Sequence, residues 1–439
     1  MASAVRTLQV KPVVLMPGWH LGPRIAFRFC FIYFGLFCLS TQIFGSLFPI
    51  PKLDVPDLSL LLQPVLFWTA ARVFDAKLPL VFSGSGSGDK TFDWVLVFCL
   101  LVFAVLATAL WSALDRKRTN YATLHKWFRV FIRFSLAGQM LSYGMAKVIP
   151  LQMPFPYLTQ LLEPFGNFSP MGVLWSSIGS SRGYEIFAGC AETLVGSLLI
   201  FSRTTPLGAL LGLFEMIDVF MLNMAYDVPV KLFSFHLILL NLFLLAPELP
   251  RLVNFFIRNR IVLPSPELEL FDRPRANRIA LWLQLGFGVW LLTMNVYGSS
   301  QMWYEYGGGR EKSPLYGIWN VTRMSIDGHL RPFLPTDNDL WRNAIFDFPE
   351  RMTVQRINGE FAHYNVSLKM DAKTLDLTRN NGNSAKSNLT FQQPSPGQLA
   401  FDGTLDGHKV HVQLQVVDRN QFLLVNRGFH WIQEYPFNR

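Results

Sequence analysis

Ionisable and polar side chains interrupt the apolar stretches of the first 300 residues. A charge inside a membrane is costly, so each such side chain is a candidate for function. The candidates for acid–base chemistry or proton transfer are Lys147, Glu192, Asp218 and His236. The candidates for holding a cofactor or polar head group are Tyr143, Gln139 and Glu215. Carboxylates beside a lysine and a histidine can shift one another's pKa values enough for such chemistry.

Two interpretations of these residues remain open. In the structural one, Lys147 pairs with Glu192 or Asp218 between helices, and His236 bonds to a neighbour. In the functional one, the same groups line a pocket that binds a polar head group or relays protons. The residues include more acids than a single salt bridge requires, which favours keeping the functional interpretation.

Long apolar segments must position these side chains. A bilayer core of about 30 Å needs about 20 apolar residues, because a helix satisfies its own backbone there. Segments of this kind are 25–48, 92–114, 130–149, 184–201, 206–223, 229–246 and 279–297. Two further apolar stretches contain prolines and are predicted to lie at the interface or re-enter, namely 58–74 and 151–178.

Charge predicts how the segments are oriented. Charged residues make up only 16% of the chain, and residues 1–300 carry +8 of its +9 net charge. With seven spans and a cytoplasmic N-terminus, 17 of the 24 basic residues in that part lie on the cytoplasmic side. The sequence therefore predicts a multi-pass protein of the cell (inner) membrane with an extracytoplasmic C-terminal domain. Lys147, Glu192, Asp218 and His236 would then share the outer half of the membrane.

The lipid bilayer is the predicted partner of this part of the chain. A nucleic-acid partner is not expected, because the sequence has no basic stripe with interleaved aromatic residues. The four cysteines lie in apolar runs without C-x-x-C or zinc spacing and are predicted to be small buried side chains: Cys30, Cys38, Cys99 and Cys190. No metal site is predicted.

From residue 313 the hydrophobic period is that of β-strands. Apolar and polar residues alternate over 364–370 and again over 410–416. Turn-forming pairs follow at short intervals: Asn358-Gly359, Asn381-Gly382, Pro396-Gly397, Asp402-Gly403 and Asp406-Gly407. Eight or nine short antiparallel strands are expected over 313–439, as a barrel or a sandwich.

This β-domain also carries a resemblance to lipocalins. Gly317 and Trp319 stand at its start and Arg427 near its end, as in the lipocalin Gly-x-Trp with a late arginine packed across the indole. A barrel of this size either holds an apolar ligand or fills with its own side chains.

Residues 127–252 resemble a DoxX-type four-helix membrane unit. The matching pieces are Arg133, Gly144-Met145-Ala146-Lys147, Ala191-Glu192, Gly196, Arg203 and the small and Met-rich residues 221–225. The resemblance implies a bundle associated in some members with thiosulfate:quinone oxidoreduction or membrane redox complexes, with Lys147 and Glu192 as its polar pair. Outside it lie an N-terminal region (1–126), a loop with a seventh span (253–300) and the β-domain (313–439).

Two functions are expected on these grounds. The first is a quinone- or lipid-associated redox subunit, which would use a diffusible quinone or a redox partner because the sequence shows no haem ligation pair, flavin fingerprint or reactive cysteine pair. The second is a non-catalytic membrane carrier or assembly factor, whose β-domain binds an apolar ligand or an exported partner protein. Whether the chain is an enzyme is left open.

Overall fold

The computed structural model describes residues 18–53, 55–262, 269–334, 336–337, 339–379 and 387–438. The chain divides into two compact units. Unit 1 comprises Met1–Tyr143 and Glu192–Asn295, and unit 2 comprises Gly144–Ala191 and Val296–Arg439. Unit 1 is helical, whereas unit 2 combines helix ends and the short helix Pro170–Gly179 with the β-domain.

Helices account for most of the chain before the β-domain. They are α1 (Leu21–Leu39), α2 (Gln42–Ser46), α3 (Ser59–Val73), α4 (Thr91–Leu114), α5 (Ala122–Val148), α6 (Pro170–Gly179), α7 (Arg182–Ile200), α8 (Thr205–Ala225), α9 (Lys231–Leu245), α10 (Leu249–Phe256) and α11 (Pro274–Glu305). A short α12 (Leu423–Asn426) follows the β-domain.

Within the described residues, six helices are long and apolar enough to cross a membrane. They are α1, α4, α7, α8, the continuous stretch Lys231–Phe256 and α11. Their surfaces expose large apolar side chains such as Phe103, Leu106 and Trp282, each more than half exposed. Lipid is the medium in which such surfaces are stable, so the chain is a membrane protein.

Helix α5, which holds the third predicted span, does not belong to that apolar set. It is 27 residues long, enough to cross a bilayer. Its arginines are buried: the Arg129 guanidinium donates to the Leu244 carbonyl, and Arg133 donates to Gln284. The charges of these two arginines are therefore internal to unit 1.

The two doubtful apolar stretches form short helices. Segment 58–74 contains α3, which has 15 residues and includes Pro64. Segment 151–178 contains turns, the 3₁₀ helix Phe165–Asn167 and most of α6, which begins at Pro170. Ser169 caps α6, its hydroxyl accepting from the Gly172 N–H. Neither helix reaches the length of a bilayer crossing.

Unit 1 has one continuous apolar core with polar groups inside it. Its most enclosed large side chains include Phe37, Ile132 and Leu136. The Arg28 side chain, 2% exposed, donates to the Tyr121 hydroxyl, the Ser112 hydroxyl and the Asp115 carbonyl. The buried cation is thus satisfied by local acceptors rather than by solvent.

Unit 2 contains an antiparallel sheet closed into a barrel. Its strands are β1 (Gly317–Ile326), β2 (His329–Leu330), β3 (Trp341–Phe348), β4 (Arg351–Arg356), β5 (Phe361–Lys369), β6 (Thr374–Arg379), β7 (Ser387–Gln392), β8 (Gln398–Leu405) and β9 (His408–Val416). Pairing of β1 with β9, from Trp319↔Val416 to Ile326↔Val410, closes eight strands. The short β2 pairs with β1 outside that ring.

The barrel is filled by its own side chains. Apolar residues from all eight of its long strands form one buried cluster, including Trp319, Phe346, Tyr364, Phe391 and Phe401. The alternation predicted over 364–368 and 410–414 is confirmed, with the apolar members turned inward. At the strand ends the pattern fails, since Met370 is 45% and Val416 is 41% exposed.

Two sequence predictions for the barrel are wrong. Asp402-Gly403 is not a turn but lies within β8, where Gly403 pairs with Val410 and Leu389. Arg427 does not pack across Trp319: its guanidinium lies 4.6 Å from the Phe437 ring centroid and donates to Gln433. The predicted turn Asn381-Gly382 lies outside the described residues.

Candidate functional site: a buried lysine and glutamate

In unit 2 the end of α5 packs directly against the start of α7. A Cβ atom on Gly189 would lie 2.6 Å from the Val148 nitrogen and 2.7 Å from the Lys147 Cβ. Only glycine allows the two backbones to approach this closely. The small residue places Lys147 of α5 beside the second turn of α7.

The first turn of α7 carries Glu185, which has no exposed surface. The Met153 backbone N–H donates to Glu185 Oε1 at 3.0 Å. Among the described residues, Oε2 has no hydrogen-bond partner. Lys147, itself 8% exposed, is near enough to attract this carboxylate electrostatically.

The segment after α5 covers this carboxylate. The end of α6 packs against this segment at Gly179, where a Cβ atom would collide with the carbonyl oxygens of Met153 and Pro154. The chain therefore folds tightly on itself between 153 and 179. A carboxylate buried in this way can hold a proton, or accept a hydrogen bond from a hydroxyl group.

His236 was a sequence candidate for proton transfer and lies in unit 1, where it is 3% exposed. Its Nδ1 lies 2.7 Å from the Leu232 carbonyl oxygen, which can only accept, so Nδ1 carries the proton. The Tyr33 hydroxyl lies 2.7 Å from Nε2, and Phe37 stacks on the ring at 4.0 Å. Both ring nitrogens are engaged, as in the structural interpretation.

Three further candidates lie near one another in unit 1. The Tyr143 hydroxyl accepts a 2.7 Å hydrogen bond from Gln42, and the Glu192 carboxylate acts on it electrostatically. Gln139, one turn earlier on α5, is 3% exposed, and its Oε1 has no hydrogen-bond partner among the described residues. Gln139 and Glu192 are thus buried in unit 1, whereas Tyr143 is half-buried.

The two acids of α8 are less buried than Gln139 and Glu192. Glu215 is half-buried, whereas Asp218 is exposed on the helix surface. The structure therefore does not place Asp218 among the buried polar groups with which it was grouped. Lys147 belongs to unit 2, where it lies within electrostatic reach of the Glu185 carboxylate.

Glu185 was not among the sequence candidates. A count of helix depth places it at the membrane surface, where charges are ordinary. The missed signals were the Pro-rich stretch before α7, which covers the carboxylate, and the seven-residue spacing to Glu192 through Gly189. That spacing puts all three on one face of a helix.

A second polar centre in unit 2 joins the barrel to the segment after α5. Asp347 of β3 is 7% exposed. Its Oδ1 accepts from Arg310 at 2.8 Å, and its Oδ2 accepts from the Leu158 N–H at 2.9 Å. Arg310 also lies 4.1 Å from the Phe348 ring centroid. Both oxygens of this carboxylate are used, which makes the centre structural rather than a ligand site.

Aromatic side chains shield this centre from water. Burial raises the pKa of the Tyr157 phenol, and burial also raises that of Tyr316. Around them, Leu158 packs with Ile318 and Ile345 of the barrel wall. The segment after α5 and the outer wall of the barrel thus share a small apolar core.

No group of three or more His, Cys, Asp or Glu side chains able to hold a metal occurs among the described residues. The cysteines are free; Cys38 is buried, whereas Cys190 is exposed on the surface of α7, contrary to its predicted burial.

Comparison with known proteins finds a relative among bacterial proteins. No protein-family model matches the chain, and no solved structure matches it. The chain is 30% identical over 129 residues to "Uncharacterized protein YwoB" of Bacillus subtilis (strain 168). The match covers 29% of this chain and 79% of that relative.

Proposed function

The chain belongs to the same family as YwoB, and we propose that it is a membrane subunit that binds the head group of a quinone at Lys147 and Glu185. The observation that carries the proposal is the buried Glu185 carboxylate, whose Oε2 has no hydrogen-bond partner among the described residues. Leaving a buried charged oxygen unsatisfied costs free energy. A ligand hydroxyl group that donates a hydrogen bond to Oε2 would remove this unfavourable free energy.

The chemistry of a quinone fits this pair. A lysine ammonium donates to a carbonyl oxygen, and a carboxylate accepts from the hydroxyl of the reduced form. Reduction of a quinone to a quinol takes two electrons and two protons. In this proposal a redox partner protein supplies the two electrons, Glu185 passes a proton to one quinone oxygen and the Lys147 ammonium passes a proton to the other, and each residue regains its proton from solvent.

Quinone content of the purified protein tests the proposal. Wild-type chain extracted in mild detergent should retain quinone, measured by mass spectrometry. Glu185→Gln removes a charge-assisted hydrogen bond worth about 1.5–3 kcal/mol, so retention should fall roughly tenfold or more. Glu311→Gln changes an exposed glutamate of the same unit and should retain quinone as wild type does.

Two results would contradict the proposal. One is equal quinone content in wild type and Glu185→Gln. The other is retention of phospholipid alone, lost in Glu185→Gln, which would assign the site to a lipid head group instead.

We propose seven crossings with a cytoplasmic N-terminus, in the cell (inner) membrane. The buried and bonded arginines of α5 support its inclusion as a seventh crossing. An odd number of crossings places the barrel on the extracytoplasmic side. A cysteine at the exposed Glu360 should then react with an impermeant maleimide in intact cells; reaction only after lysis would contradict this topology.

We also propose that residues 127–252 form a DoxX-type unit. The close packing of Gly196 against Leu141 and Ala137 supports it, because these small residues lie in the part that carries the resemblance. In this proposal the polar pair implied by the resemblance is Lys147 and Glu192, with Glu185 as the additional acid.

A second candidate function is a non-catalytic assembly factor. The filled barrel favours an exported protein over an apolar ligand as the partner of the β-domain. Photo-crosslinking from Glu360 and Asp406, at the barrel end opposite Asp347, would test it. A discrete heterologous adduct supports this function, and its absence at both positions argues against it.

A further inference from the structure

The segment that follows the barrel is unusually apolar for an exposed one. Over residues 429–437, which we call the aromatic segment, Phe429 is 76%, Trp431 is 91%, Ile432 is 80% and Tyr435 is 84% exposed. Phe429 and Trp431 contact each other edge to face, with ring centroids 5.0 Å apart. Contiguous exposed apolar groups of this size mark an interaction surface.

The aromatic segment starts from a defined end of the barrel. After β9 ends at Val416, the chain turns along the barrel wall, and Val417 and Phe422 pack in the small core with Leu158. The Arg419 guanidinium lies 5.4 Å from the Phe155 ring centroid. The root of the aromatic segment is therefore fixed to the stretch that directly follows α5.

The same end of the barrel faces the helix ends that belong to unit 2. Helix α11 ends at Glu305 and β1 begins at Gly317, so only eleven residues join them. Arg310 in that connection binds Asp347, and Gly307 approaches Leu151 so closely that a Cβ atom would lie 2.8 Å from its Cδ2. The barrel end bearing Asp347 and Val416 thus lies beside the ends of membrane helices.

We propose that the aromatic segment lies in the head-group region of the bilayer and anchors the barrel to the membrane surface. The stretch that leads into it, 417–422, packs against the segment that follows α5 and so brings the start of the aromatic segment to membrane level. Its composition fits, because tryptophan and tyrosine prefer the interface, where the ring is buried and the polar edge stays wet. Arg427 and Arg419 at its root suit phosphate groups, while Glu434 is the acid within it.

Photo-crosslinking of the full chain in phosphatidylcholine nanodiscs tests this inference. Benzoylphenylalanine replaces Trp431 in one sample and Glu360 in another. Glu360 is exposed on the β4–β5 turn at the opposite end of the barrel and serves as the matched control. The aromatic probe keeps the character of Trp431, and neither site is part of the barrel core.

The inference predicts lipid adducts from position 431, detected as a mass shift, with a yield several-fold above that from position 360. Two outcomes would overturn it. One is an equal yield of lipid adducts from the two positions. The other is a cross-link from position 431 to a second copy of the chain, which would make the aromatic segment a self-association surface. Neither outcome depends on whether the chain binds a quinone.

Discussion

The interior of unit 1 and the interior of the barrel differ in the polarity of the side chains that they enclose. The unit 1 core encloses charged and polar side chains, including Arg28, Arg129 and His236, while its helix surfaces expose Phe103 and many other large apolar residues. The barrel encloses an almost wholly apolar cluster and turns its alternate polar residues outward. The surrounding medium accounts for the difference, since lipid accepts apolar surface whereas water favours its burial.

This comparison teaches where function can be sought. The barrel interior is filled by an almost wholly apolar cluster in which Tyr364 carries a hydroxyl group, so we look to its outer surface for function. The helix ends hold Glu185 and Lys147, which are buried although both are ionisable. The four substitutions or titrations that follow probe the contrast, from the largest expected effect to the smallest.

The barrel interior should be the least tolerant of added volume. At Gly403 a Cβ atom would lie 2.9 Å from the Leu389 Cα and closer still to the Asn388 carbonyl oxygen. Gly403→Val should destabilise unit 2 by about 4 kcal/mol or more, through overpacking and backbone strain. Circular dichroism and denaturant unfolding of the full chain measure this. Thr404→Val, exposed on the same strand, should change stability little.

The Asp347–Arg310 ion pair, which joins the barrel to the helix ends, should respond to substitution as a buried ion pair does. Asp347→Ala leaves the Arg310 guanidinium, whose side chain is 14% exposed, without its carboxylate. The cost should be about 3 kcal/mol and should appear as faster proteolysis within residues 150–180. Asp376→Ala breaks an exposed pair with Lys369 and should cost less than about 1 kcal/mol. Equal losses of stability in the two variants would contradict the expected difference between a buried and an exposed ion pair.

The hydrogen bond between Tyr33 and His236 inside unit 1 should contribute less to stability than the Asp347–Arg310 ion pair. Tyr33→Phe removes the hydroxyl that bonds His236 Nε2 and should lower stability by about 1 kcal/mol. The expected loss is measurable as a lower unfolding temperature in detergent. Tyr226→Phe changes a half-buried tyrosine of the same unit and is the comparison. An unchanged unfolding temperature would mean that this pair contributes nothing measurable.

One pH dependence of the barrel should appear in alkali. Burial raises the pKa of Tyr364, whereas an unfolded tyrosine titrates near 10. The stabilising contribution is therefore full below about pH 10 and is lost as the pH rises through the raised pKa of the folded protein. Thermal unfolding at pH 9 and pH 11 should show a smaller difference in Tyr364→Phe than in wild type. Tyr435→Phe, at an exposed position, should retain the full difference.

Hydrophobic periodicity predicted structure correctly where the pattern was compatible with a single type of structure. The switch from helical to two-residue periodicity located the β-domain, and inward alternation held in β5 and β9. The pattern failed at Asp402-Gly403, because the same pair suits either a turn or a close approach between strands. It also failed at Arg427, where one tripeptide and a late arginine could not fix a contact about 100 residues apart.

For the candidate site, sequence predicted the type of residue but not the arrangement. Lys147 is buried as expected of a functional or paired lysine, yet Asp218 proved exposed and Glu185 proved enclosed. Helical periodicity predicts the depth of a residue in the membrane and the helix face on which it lies. It does not predict which segment of the chain folds over a helix end, as residues 153–179 do over Glu185.

The sequence alone determined the medium of each part, because apolar runs of about 20 residues are stable only in lipid and strict alternation needs one wet face. Tertiary structure alone decided that the barrel fills itself, that Asp347 joins it to the segment after α5, and that this segment encloses Glu185. These outcomes depend on contacts between residues far apart in the chain, and no local period encodes which distant surfaces meet.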